Sequence, residues 1–220
     1  MDAGFGGFLG AIGALCYALS SIAIFKSARS PEGRGNDVFN SIFMTSAVSG
    51  VLWLFLGADL PGYSPAIVIG VVYFIIAGFL GSVLGRQTLF RSVELAGAVE
   101  TGFIRRLIPV FAAVFAFFLL DERITIAVVI AFGLVTGGIL IVMASTSVRT
   151  AQYVVDTGPR ETKLGRAMAL GSAASYGGTF VSRKLAMQTF PDPLAGVFIG
   201  AVTGLMWFGL FRLIHPRQRR

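Results

Sequence analysis

Apolar runs of about membrane thickness follow one another along almost the whole chain, separated by polar breaks. A helix that crosses a bilayer needs about 20 mostly apolar residues. The runs at 4–25, 38–58, 65–85, one ending at 120, 124–143, 164–186 and 193–214 supply that length. They predict an all-α polytopic membrane protein of about seven transmembrane helices. The clearest, ITIAVVIAFGLVTGGILIVM at 124–143, carries no charge. Glycines recur four residues apart in several runs: Gly6 and Gly10, Gly81 and Gly85, Gly133 and Gly137, then Gly196, Gly200 and Gly204. Such spacing lets helix backbones approach closely in lipid, either within one bundle or across a dimer face.

Composition agrees with the pattern: 55% of residues are hydrophobic and 13% are charged, far from the balance of a soluble domain. A net charge of +7 would suggest nucleic-acid binding in a soluble protein. Here the basic residues sit between apolar runs, as in cytoplasmic loops, and no nucleic-acid partner is expected. Thirteen Lys and Arg fall on one side of the seven spans, against Arg123, Arg183 and Lys184 on the other. That bias places the C-terminus in the cytoplasm and the short acidic N-terminus outside. The opening MDAGFGGFLG lacks the positive head of a secretory signal, so the first run is read as a retained span. A single cysteine, Cys16, excludes an internal disulfide framework and a cysteine metal cluster.

Part of the pattern repeats. AVSGVLW at 47–53 returns as AVTGLMW at 201–207, and GALCYALSSIAIFK at 13–26 aligns without gaps to GSAASYGGTFVSRK at 171–184. Gly13 thereby pairs with Gly171, Ser21 with Thr179 and Trp53 with Trp207. The sixth and seventh spans are thus read as copies of the first and second, which makes the repeat unit five spans long. An odd unit enters the membrane from opposite sides in its two copies, and inverted repeats of this kind are a mark of secondary transporters. The chain divides into a five-helix repeat at 1–146, an inter-repeat loop at 147–163, and a partial second repeat of two helices with a basic tail at 164–220.

Candidate chemistry gathers in TGFIRRLIPVFAAVFAFFLL, residues 101–120. If the fourth helix starts near Gly97, Arg105 lies about 12 Å inside it and approaches the bilayer midplane. Thr101, Arg105 and Pro109 then share one face, and Pro109 withholds the hydrogen bond that the Arg105 carbonyl would accept. If the helix starts near Phe103, Arg105 and Arg106 instead snorkel to the headgroups as a collar. Glu100 is placed to pair with an arginine or to neutralise a cationic substrate. Tyr17, Ser20 and Ser21 on the first span, Tyr73 on the third, and Ser175, Tyr176 and Thr179 on the sixth are further candidates for lining one polar cavity. Arg86, Gln87, Arg91 and Glu94 read as a solvated helix end or the mouth of that cavity. No nucleophile motif, zinc-protease helix or phosphate-binding loop is present, so neither an enzyme nor a cofactor is expected.

The segment GRQTLFRSVELAGAVETGFIRRLIPVFAAVFAFFLLDERIT resembles the late part of an EamA-type repeat of the drug/metabolite transporter superfamily. Matching positions are the small stretch Ala96 to Ala98, Pro109 with Val110, and Glu122 with Arg123 before the fifth span. The resemblance implies a secondary transporter in a bacterial inner membrane that moves a small polar or amphipathic metabolite by alternating access. Cavity arginines would incline the substrate toward an anion or a carboxylate-bearing metabolite, and Glu100 would carry any coupled proton. Family members typically have ten spans with both ends cytoplasmic, whereas this pattern supplies seven. The alternative is a non-transporting membrane subunit or scaffold, completed by a partner chain or a homo-oligomer.

Overall fold

A computed structural model describes residues 7–8, 11–13, 15–16, 19–20, 22–23, 37–57, 64–121, 123, 125–146 and 159–214. Eight helices account for nearly all of residues 37–214 that it describes. They are α1 (Asp37–Leu56), α2 (Pro65–Gly78), α3 (Arg86–Ala96), α4 (Ala98–Arg105), α5 (Ile108–Leu120), α6 (Ile126–Thr146), α7 (Pro159–Thr189) and α8 (Pro193–Ile214). A π-helical stretch, Phe79–Gly85, joins α2 to α3 without a break. The expected all-helical membrane architecture is therefore present. By length and composition Val38–Leu56, Pro65–Ala96, Ala98–Leu120 and Pro193–Phe211 can cross a membrane, and Ile126–Gly138 is a shorter apolar helix. Half of the first predicted span, 4–25, lies outside the described residues.

The third predicted span does not stop at 85 but runs on to Ala96, because Arg86 bonds hydroxyls of α1 and Leu89, Phe90, Ser92 and Val93 are buried in the bundle. Gly97 then sets the start of the fourth span. Its φ of 83° is one that residues with a Cβ rarely adopt, and it separates α3 from α4. Four residues past Arg105, Pro109 has no N–H to give, and the chain tightens into a turn in which the Arg106 and Leu107 amides bond the Phe103 and Ile104 carbonyls at 3.1 Å. α4 and α5 are thus two segments of one broken span. The sixth helix begins at Pro159, within the segment read as loop, and reaches Thr189. Arg183 and Lys184 consequently sit in a helix interior and not at its end.

α7 is the centre of the bundle, packed on α2, the π stretch, α3, α4 and α5, while α8 lies across α1, α2 and the π stretch. Close approach rests on glycine at the crossings. A Cβ on Gly78 would fall 2.5 Å from the Cα of Gly200, and one on Gly196 would fall 2.2 Å from the Phe74 ring. The Gly196, Gly200 and Gly204 series therefore packs within the chain, against Phe74, Gly78 and Ser82. Gly133 and Gly137, by contrast, have nothing within 4 Å. Beside the α2–α8 crossing, Phe74, Ala186, Phe190 and Ala195 form a buried apolar cluster, with Trp53 and Tyr73 packed against it.

Where α7 turns into α8, Asp192 is buried. Its Oδ1 accepts the Leu194 and Ala195 amides at 2.9 and 3.0 Å, and its Oδ2 accepts the Trp53 indole N–H at 2.9 Å. One carboxylate thus caps α8 and ties α1 to it.

Candidate functional site

The polar interior is built where α3, α4 and the π stretch meet α7. In a π turn the backbone ring widens and carbonyls are left with spare acceptor capacity. α7 uses it: Ser172 Oγ donates to the Gly85 carbonyl at 3.0 Å, and Thr179 Oγ1 lies 3.4 Å from the Ala77 carbonyl. Gly81 and Gly85 allow this contact, since a Cβ on them would fall 3.0 Å from Thr179 Oγ1 and 2.9 Å from Tyr176 Cε2. The Tyr176 ring thereby packs against the π stretch at Gly85.

Arg105 lies over that ring. Its guanidinium carbon is 4.7 Å from the Tyr176 centroid, and the residue is only 6% exposed. A cation over an aromatic face is attracted by the ring quadrupole, more strongly where water is excluded. One turn earlier, Thr101 is buried and its hydroxyl meets Ser92 Oγ at 2.7 Å. Arg105 is thus buried within the protein.

Other expected site residues fall elsewhere. Arg106 is exposed, because the turn at 106–107 sends it about 100° round from Arg105. Glu100 sits toward the edge, where its Oε1 accepts from Arg166 Nε at 2.5 Å. Thr179 is buried and donates to the Ser175 carbonyl at 2.9 Å, a helix-backbone bond that seats it against Gly81. Tyr17 and Ser21 lie outside the described residues. Tyr73 belongs to the apolar cluster, and Arg91 pairs with Glu94 at 2.7 Å at the surface.

Two arginines join the interior that sequence reasoning had placed at helix ends. Arg86 donates from Nη1 to Ser41 Oγ at 2.8 Å and from Nη2 to Thr45 Oγ1 at 3.0 Å, which links α3 to α1. Arg183 lies within electrostatic reach of Arg86 and Tyr176. Its signal was present in the sequence: Ser172, Tyr176, Thr179 and Arg183 recur at intervals of four, three and four, a polar stripe along one face of α7.

A lateral cleft of about 350 Å³ opens between α1 and α8, lined by Phe43, Gly50, Trp53 and Phe198 among others. It is apolar and lies apart from the arginines. Among the described residues no group of His, Cys, Asp and Glu could hold a metal ion.

A bundle of apolar helices with hydroxyls and arginines turned inward is the construction of a polytopic membrane protein that handles polar solutes. The family comparison specifies which kind: residues 4–144 match the EamA-like transporter family, and the chain belongs to it. No curated protein and no solved structure matches the chain.

Proposed function

We propose that the chain is a secondary transporter that moves a small polar or amphipathic metabolite by alternating access, and that Arg105 on its Tyr176 platform holds the substrate's anionic group. The observation that carries this reading is the burial of Arg105 inside a predominantly apolar span. Insertion scales put the cost of such a charge at about 3 kcal/mol, and ionisable groups kept there generally mark a solute path. Cation–π contact offsets part of that cost, and a guanidinium is suited to charge-assisted hydrogen bonds to a carboxylate or phosphate. The Thr101–Ser92 hydroxyl pair, one turn away, supplies neutral donors and acceptors for the rest of the solute.

Glu100 and Arg166 lie at the rim of this region, where exchange of partners would accompany entry of a charged solute. The family resemblance favours a bacterial inner membrane, and the Lys and Arg bias favours a cytoplasmic C-terminus. The test is uptake of radiolabelled acetate, succinate, glycine and choline into proteoliposomes holding the wild type or Arg105→Gln. Uptake of an anionic or zwitterionic solute that falls at least about tenfold in the variant is expected. Equal uptake by both proteins, or uptake of choline alone, would overturn the assignment.

A further inference from the structure

We infer that Arg86 and Arg183 form a second cationic pole beside Arg105 and Tyr176, so that the site takes a small dianion with two separate anionic groups, a dicarboxylate. The inference rests on the transporter reading above and names its substrate class.

Three arginines come to this region from three helices, α3, α4 and α7. Arg86 is anchored by two hydroxyls of α1, which fix its position without cancelling its charge. Arg183 has a fully buried Nε with no hydrogen-bond partner among the described residues, an uncommon state for a strong donor. The π stretch and α3 run antiparallel to α7, with Gly81 facing Thr179 and Gly85 facing Tyr176, so Arg86 and Arg183, each leaning toward its own helix N-terminus, converge near the level of Thr179. Among the described residues the ion pairs are Arg91 with Glu94 and Arg166 with Glu100, so neither Arg86 nor Arg183 has a carboxylate within ion-pairing distance.

Like charges repel more strongly where water is scarce, and a doubly charged anion between the poles would relieve that repulsion. Arg183 lies two turns beyond Tyr176 on the same face of α7. Long helical side chains lean toward the helix N-terminus, which for Arg183 is the direction of Tyr176. One anionic group would meet Arg105 and the other Arg183 with Arg86, Tyr176 lying between. A monoanion would satisfy one pole and leave the second unrelieved.

Thermal unfolding of the full chain in a neutral detergent tests this, with acetate, succinate and, separately, phosphatidylglycerol as probes. In the wild type, succinate is expected to stabilise at concentrations at least about tenfold lower than acetate. Arg183→Gln should raise the dianion concentration needed about tenfold, the loss of one charge-assisted hydrogen bond, and leave the acetate response unchanged. Arg183→Lys should recover part of the loss. Arg86→Gln gives the same readout independently if Arg183→Gln loses its cooperative transition. Equal potency of acetate and succinate, or dianion binding indifferent to both Gln variants, would overturn the inference. So would stabilisation by phosphatidylglycerol alone, which would assign the pole to a lipid headgroup. Succinate binding that needs Arg105 but neither Arg183 nor Arg86 would sink the dianion site and leave the transporter reading standing, whereas failure of every anion would remove both.

Discussion

Gly85→Ala separates the fold from the site. The added Cβ would meet Tyr176 Cε2 at 2.9 Å and the Leu80 carbonyl at 3.1 Å. The ring is the movable partner, and restoring ordinary contact displaces it by several tenths of an ångström. Overpacking of this kind costs about 1–3 kcal/mol, and the gain in helix propensity returns about 1 kcal/mol. The net loss is at most about 2 kcal/mol, a fall in Tm of a few degrees for a chain of this length. Arg105 stands 4.7 Å from the ring centroid, so displacing its platform shifts the guanidinium by a distance that matters to a ligand, for which a site must hold within about 0.5 Å. The concentration of the stabilising anion should rise about threefold to tenfold in thermal unfolding, alongside the modest fall in Tm. An unchanged anion response with a lowered Tm would refute the platform role of Tyr176.

The helix crossings give a matched pair. Gly78→Ala drives a Cβ to within 2.5 Å of the Gly200 backbone, which cannot swing aside, so α2 and α8 must part; a loss of about 3 kcal/mol is expected in denaturant-dependent unfolding. Gly133→Ala meets nothing within 4 Å and should be neutral or slightly stabilising in the same assay. Asp192→Ala removes the cap of α8 and strands the Trp53 indole N–H, for an expected loss of about 2–3 kcal/mol and a changed Trp53 fluorescence; Asp192→Asn should retain most of both. Arg166→Ala breaks a pair whose arginine side chain is half exposed, and its effect on stability should stay below about 1 kcal/mol.

The membrane class, the helices and the family were legible because apolar length is a coarse signal that the bilayer makes nearly decisive. The position of Arg105 was legible only as two alternatives, since its depth depended on where one helix starts. Gly97 starts α4 through a backbone angle that residue identity suggests but does not impose. Arg86 was legible only as a helix end or the mouth of a cavity. Charges that follow an apolar run look like its end, and the hydroxyls that receive the Arg86 guanidinium, Ser41 and Thr45, come from a distant part of the chain. The π stretch left no mark in the apolar pattern, because a widened turn changes hydrogen-bond spacing and not hydrophobicity.

The central place of α7 has a consequence for biogenesis. Arg105 emerges from the ribosome about seventy residues before Tyr176, and at 5–20 residues per second that interval lasts roughly 4–14 s. For those seconds the fourth span carries its guanidinium without the aromatic ring that will cover it. The insertion machinery must therefore shelter an unfinished group of helices until the thirty-one residues of α7 arrive. A translational pause placed before Pro159 would lengthen that exposure, and one placed after Thr189 would not.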